Sequence, residues 1–289
     1  MSTPFDNSST KTDNFKVRGG GGPPPETATL CVLKFYDANA NGVFDGGEQQ
    51  IQGWQYQVFA DDNLIIQAET YHCSVVDPGT YHVIEGTPLE NNWIHTTATK
   101  VDITLAGTDT QTAEFGNVCL GAGGGLTLGY WSNKNGQRET TSADLTYLSG
   151  LCLRNANGSD FNPSTTSALS TWLLNATAVN MAYMLSAQLA AMELNVRHHH
   201  VNSNALVYGG DCVKSYQQSG QLPGSNGFIT IGALMAAAET EMCAHGYTPS
   251  GSPYRAYQEC VKTTLDKANN NINFVESSPC PFTFAPFLP

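Results

Sequence analysis

From residue 28 to residue 118 the apolar positions come in short runs, often alternating with polar ones. The segments TLCVLKFYD, GWQYQVFA, LIIQAETY, GTYHVIEG, WIHTTAT, KVDITLA and TAEFGNV are rich in Val, Ile, Thr, Tyr and Phe, and turn residues separate them. In YHVIE the period of two puts Tyr81, Val83 and Glu85 on one face and His82 and Ile84 on the other, just after the turn signal Asp77-Pro78-Gly79. About seven such strands, spaced by roughly 12 residues, predict a two-sheet antiparallel sandwich.

The period then changes. GAGGGLTLG, residues 121–129, has five glycines in nine positions and predicts a boundary or hinge. Beyond it, residues 130–289 read as mainly helical. Ala178, Met181, Ala182, Leu185, Leu189, Met192 and Val196 recur at three- and four-residue steps, giving a helix over about 175–196. A helix containing Thr171 and Trp172 precedes it. Two more are expected over about 229–245, stopped by Gly246, and over about 253–269, opened by Pro253. The fold class is therefore multidomain α and β: a sandwich over 28–120, a Gly-rich hinge over 121–129 and a mainly helical domain over 130–289.

Residues 1–27 are mostly polar and close on GGGGPPP, a flexible and then stiff linker. Within them Phe15 and Val17 alternate with Lys16 and Arg18 as a strand would, so this tail is a candidate polymerisation strand for a neighbour's sheet edge. No apolar run is long enough to span a membrane, and the first residues lack the apolar centre of a signal peptide.

Composition narrows the function classes. Charged residues are only 13%, about half the usual share, and the net charge is −12. Thirteen Lys plus Arg against 25 acids give no basic patch for nucleic acid or anionic membrane, and favour divalent cations. Eight cysteines, none in CxxC, read as disulfides of an oxidising, extracellular setting. Asn7, Asn157 and Asn175 open N-x-S/T triplets, a weak glycosylation signal.

The sharpest motif is D-A-N-A-N-G-V-F-D-G-G-E, Asp37 to Glu48. It fits the twelve-residue calcium loop: Asp37, Asn39 and Asn41 offer side-chain oxygens at positions 1, 3 and 5, and Gly42 permits the sharp turn. Val43 offers its carbonyl, Asp45 a carboxylate directly or through water, and Glu48 both oxygens. Three carboxylates and two amides predict Ca2+ binding in the range of about 10⁻⁴ to 10⁻³ M that suits extracellular sites. Strand-like flanks predict a structural rather than a switching site. Without metal the segment would be an Asn-Gly turn, which leaves three neighbouring carboxylates unneutralised.

KFYDANANGVFDGGEQQIQGWQYQVF followed by PGTYHVIEG resembles the B-repeat modules of serine-aspartate repeat adhesins and the related collagen-adhesin B-type domains, over about residues 28–118. The resemblance implies a prealbumin-like β-sandwich, calcium for rigidity with Asp37, Asn39, Asn41, Asp45 and Glu48 as ligands, and a stalk or adhesive role on bacterial surfaces. One module instead of a tandem array, the cysteines Cys31, Cys73 and Cys119, and the absence of a wall-anchoring motif depart from that family. The helical part, with GYWSNKNGQ, looks like a segment that follows such modules in bacterial secreted proteins.

Cys31 opens the first strand and Cys119 closes the last, so a bridge between them is expected, with Cys73 left to pair across domains. His198, His199 and His200 read as a polar turn after the long helix. Trp93 and Trp131, if exposed side by side, would make a glycan platform; Trp54 and Trp172 read as core. Asp144, Glu193, Glu239 and Glu241 lie on predicted helices, and no nucleophile motif is present. The first expectation is a non-enzymatic extracellular structural or adhesive protein, as the subunit of a homopolymer or bound to other surface proteins or glycans. The alternatives are a ligand- or glycan-binding module, and then a hydrolase in the helical part.

Overall fold

The computed structural model describes residues 26–287; Phe15 and Val17 lie outside them. Nine strands come first: β1 (Ala28–Tyr36), β2 (Gln49–Gln50), β3 (Gln55–Ala60), β4 (Asn63–Glu69), β5 (His72–Val76), β6 (Gly79–Glu85), β7 (Trp93–His95), β8 (Lys100–Leu105) and β9 (Thr110–Gly121). One sheet has the order β4-β3-β6-β8, antiparallel throughout. In the other, β1 has β5 and β2 along one edge and β9 along the other, and β7 lies beside β9. The expected antiparallel sandwich is present with one exception. The first and last strands run parallel, from Thr29 opposite Thr110 to Tyr36 opposite Asn117.

The period of two explains the core. Leu30 and Val32 of β1, Tyr56 and Val58 of β3, Tyr81 and Val83 of β6, Ile103 and Leu105 of β8 and Phe115 of β9 meet between the sheets. Each such buried side chain stabilises the fold by about 1.5–3 kcal/mol.

The second half supplies α1 (Leu128–Ser132), α2 (Lys134–Glu139), α3 (Ser142–Leu148), α4 (Thr166–Leu174), α5 (Met181–Arg197), β10 (Leu206–Tyr208), α6 (Gly210–Gln218), β11 (Phe228–Thr230), α7 (Ile231–Ala244), α8 (Arg255–Asn269) and β12 (Phe274–Val275). Helix α5 is the centre: Leu185, Ala187, Leu189, Ala190, Ala191, Met192 and Leu194 are fully buried. Its polar residues Ser186, Gln188, Glu193 and Asn195 are buried with them and hydrogen-bonded, as a helix surrounded by others requires. The Asn180 side chain caps it by accepting from Ala182 N–H, so the helix starts later than the periodicity of Ala178 suggests.

Three expectations change. The glycine run does not behave as a free hinge. The N–H groups of Gly123, Gly124 and Gly125 all donate to Asn271 Oδ1, at 2.6, 2.8 and 3.1 Å. A Cβ on Gly125 would sit 2.0 Å from the Ala268 carbonyl oxygen. These glycines serve close approach, not mobility. Second, the sheet does not stop at residue 120: β12 pairs with β9 and carries β10 and β11 with it. Third, the span expected to be helical to its end returns to the sandwich, where Phe282 and Phe284 pack on Trp54 at 4.9 and 5.2 Å.

The cysteines pair as Cys31–Cys73, Cys119–Cys280, Cys152–Cys243 and Cys212–Cys260. The expected Cys31–Cys119 bridge is therefore corrected. Because β1 and β9 run parallel, Cys31 faces Thr112, and Cys119 lies roughly 20 Å further along the same strand. That separation exceeds any disulfide's reach. Cys31 instead sits directly opposite Cys73 on β5.

Candidate metal site

The Asp37–Glu48 loop joins β1 to β2, which are antiparallel neighbours, with Tyr36 opposite Gln49. The loop thus closes the end of a hairpin, as its flanks predict. Asp37 is fully buried. Its Oδ1 accepts from Asn41 N–H at 3.0 Å and its Oδ2 from Gly42 N–H at 2.7 Å. Gly42 holds φ at +79°, the left-handed conformation that position requires. Asn39 Oδ1 accepts from Asn41 N–H, and Asn41 Oδ1 from Val43 N–H, so alternate side chains curl back over the turn. Phe44 anchors the loop on Phe35 of β1, with ring centroids 5.3 Å apart.

The two amides also donate from Nδ2 to Asp45 Oδ2, at 2.9 and 2.6 Å. These bonds hold the Asp45 carboxyl below its ordinary value. Glu48 Oε2 accepts from Asp45 N–H at 3.1 Å, while Glu48 Oε1 is buried without a hydrogen-bond partner. Burial first, and then the charges of Asp37 and Asp45, push the Glu48 carboxyl above its ordinary value, against the hydrogen bonds that lower it. The carboxylate oxygens of Asp37, Asp45 and Glu48 are not gathered within 4.8 Å of one another. Among the described residues only Cys152, Glu239 and Cys243 come that close, and those cysteines bridge each other. The donor set itself is all oxygen, with an orphaned buried carboxylate oxygen, which fits a hard divalent cation.

A second polar group lies inside the sandwich. Lys34 on β1 is fully buried and donates to Glu85 Oε2 on β6 at 2.6 Å, with its Nζ 4.5 Å from the Trp54 ring centre. Burial lowers Lys34 to about 8 against the favourable pull of Glu85. His95 reaches the same Glu85 and lies 3.2 Å from Asn117 Oδ1. A buried Lys is foretold by nothing in the period-two pattern except its place in an otherwise apolar strand.

The histidines after α5 are more than a polar turn. His198 lies 3.0 Å from Asp144 Oδ2, and His200 lies 2.6 Å from Glu139 Oε1. Arg197 donates to Asp144 Oδ1 at 2.8 Å, and Tyr130 donates to Glu139 Oε2 at 2.6 Å. The cluster ties the start of the helical part to the end of α5. Of the remaining acids, Glu193 and Glu239 lie close enough that, after burial, the charge of Glu239 helps push the Glu193 carboxyl up. Glu193 accepts from Tyr147, Glu239 from Cys152 N–H, and Glu241 from Gln258. Glu241 also borders a groove of about 670 Å³ lined by Tyr216, Tyr254 and Tyr257. Trp93 and Trp131, with 7% and 0% of their surface exposed, offer no platform; both are core, as are Trp54 and Trp172.

No protein-family model and no curated protein sequence matches the chain. Among solved structures it is similar to GBS52, the minor pilin of Streptococcus agalactiae, with 15% identity and TM-score 0.24, over 32% of this chain and 44% of that one. A streptococcal ancillary pilin matches with 15% identity and TM-score 0.26, over 34% of each chain. The shaft pilin SpaA from Lactobacillus rhamnosus GG, as a double mutant, matches with 12% identity and TM-score 0.24, over 33% of this chain and 51% of that one. The chain spans between about a third and half of the length of these pilins. The likeness is partial and distant, and functional argument rests on the residues.

Proposed function

We propose that the chain is an extracellular structural protein of a bacterial surface, stiffened by Ca2+ in the Asp37–Glu48 loop and by four disulfides, and acting as a self-associating subunit. One observation carries the metal reading: Glu48 Oε1 is buried with no partner beside a fully buried Asp37. Such an oxygen costs about 1–3 kcal/mol unless something answers it. Asp37, Asn39, Asn41, Asp45, Glu48 and the Val43 carbonyl would hold the ion. The ion would supply charge neutralisation and a fixed hairpin end, and no chemistry is asked of it. Four bridges among eight cysteines support an oxidising compartment, and no described helix is long and apolar enough to cross a membrane.

Calorimetric titration tests the metal. The expected dissociation constant is about 10⁻⁴ to 10⁻³ M. At tenfold excess over that constant, calcium stabilises the fold by about 1.4 kcal/mol. No heat of binding at 10-fold excess over about 1 mM, together with coincident melting curves in calcium and chelator, defeats the reading.

A ligand-binding module is the second reading, favoured by the tyrosine groove between α6, α7 and α8. Rings and a carboxylate in one groove suit sugars, which stack on the former and donate hydrogen bonds to the latter. A glycan array on the wild type and on Tyr254→Ala decides it: binding that disappears in the variant supports this reading.

A further inference from the structure

Strand β4 is an unguarded sheet edge. It ends its sheet in the order β4-β3-β6-β8, so among the described residues nothing pairs with its outer side. Natural edges are blunted by charge, proline or shortness. The opposite edge, β8, follows that rule with Lys100 and Asp102. β4 has one bulge, at Ile65 opposite Val58 and Phe59 of β3, but neither charge nor proline: its seven residues, NLIIQAE, are uncharged until Glu69, and Leu64 and Ile65 are each 46% exposed. Ile66 and Ala68 pack on the sandwich core yet remain only half-buried, so one more strand would finish covering them. Acids flank the strand, with Asp61 and Asp62 in the turn before it and Glu69 at its end.

We propose that β4 is the docking edge for residues 14–18, Asn14-Phe15-Lys16-Val17-Arg18, of a second copy of this chain. The inference rests on the reading of a self-associating subunit and names its contact. The segment has the pattern that the edge lacks. As a strand it puts Phe15 and Val17 on one side, to cover Ile66 and Ala68, and Lys16 and Arg18 on the other, the side of Gln67 and Glu69. Charge complements as well. Residues 1–25 hold Lys11, Lys16 and Arg18 against Asp6 and Asp13, a net +1 in a chain of net −12. Reach permits another copy, because a seven-residue linker, Gly-rich and then Pro-rich, separates the segment from Glu26. An edge that receives and a tail that donates are different surfaces, so the contact is heterologous and repeats head to tail.

The test uses the full chain with a photocrosslinking benzoylphenylalanine at position 15, made as a mixture of isotopically heavy and light protein. Irradiation is expected to give dimers and longer ladders, with heavy–light crosslinks mapping to residues 63–69. The doubly substituted Leu64→Lys, Ile65→Lys chain changes only exposed positions. It is expected to reduce sedimenting assembly at least tenfold, with its melting temperature unchanged, and Phe15→Asp with Val17→Asp to do the same. Crosslinks confined to one chain, crosslinks mapping elsewhere, assembly indifferent to the edge lysines, or a wild type that stays monomeric would each overturn it. Running every arm in calcium and in chelator separates the two readings. Loss of calcium binding with the edge crosslinks intact sinks the metal site alone.

Discussion

Glu48 faces opposite demands with and without a cation. Burial, then Asp37 and Asp45, raise its carboxyl above the ordinary value. The folded chain therefore keeps that proton at a pH where the unfolded chain has released it. In the metal-free protein Glu48 consequently lowers stability as pH rises from the ordinary carboxylate range through the raised value. Glu48→Gln removes that burden and also removes a ligand. In chelator the variant should melt at the wild-type temperature or above it; in calcium it should lose at least tenfold in affinity, about 1.4 kcal/mol. Calorimetry in both buffers reads the crossover, and a variant that is equally destabilised in both contradicts the assignment. Asp144 is the converse. Burial opposes its ionisation, but the Thr141 N–H and hydroxyl, Arg197 and His198 prevail and hold it down to about 2. Its contribution is complete above the ordinary carboxylate range and disappears as pH falls through about 2. Asp144→Ala should cost about 2 kcal/mol in urea unfolding at pH 7, and the gap from wild type should narrow as the pH approaches 2.

At the scale of elements, the glycine strap and the C-terminal return show where pattern reading runs out. GAGGG looks the same in sequence whether it swings or packs, because the partner that decides it, Asn271, is some 150 residues away. That residue sits at φ +67° just past α8 and answers three N–H groups at once. Asn271→Ala leaves those donors orphaned and should cost about 2–4 kcal/mol, read as a shifted denaturant midpoint with unchanged slope. The return segment was equally hidden. In PCPFTFAP the alternation is only Phe282-Thr283-Phe284 between prolines, too short to announce a strand, yet Phe282 and Phe284 cover Trp54, and Thr283 donates through its N–H and hydroxyl to Glu90 at 2.8 and 2.7 Å. Cys280→Ser should loosen this segment and expose Trp54 and Trp93, seen as a red shift of tryptophan fluorescence; an unchanged spectrum would show that the aromatic contacts hold without the bridge. By contrast the period-two strands and the hairpin turn over residues 37–48 were legible, since local alternation and turn chemistry specify them almost alone. The disulfide map was not, because it depends on β1 and β9 running parallel, a choice made by the whole sheet.

For the whole molecule, the question is whether sandwich and helices are separate bodies, as the change of period at residue 121 implies. The sheet argues against separation. β9 runs from the sandwich core at Ala113 and Phe115 to Gly121, where it pairs with β12, and β12 leads to β10 and β11 beneath the helices. Cys119 on that strand is bonded to Cys280, and Glu276 N–H donates to the Cys119 carbonyl at 3.0 Å. Unfolding either half breaks strand pairing and core packing of the other, so a single cooperative transition is expected, with calorimetric and van't Hoff enthalpies equal. Calcium bound at the C-terminal end of β1, where Ala40 packs in one cluster with Phe228 and Leu206 of the second half, should then raise that one transition as a unit, the helical signal included, by roughly 2–4 °C for each kcal/mol. Far-ultraviolet circular dichroism, dominated by the helices, and calorimetry on the same sample check it. Two transitions, of which only the lower or the upper responds to calcium, would mean that the shared sheet does not couple the halves, and the ion would then stiffen a module rather than a subunit.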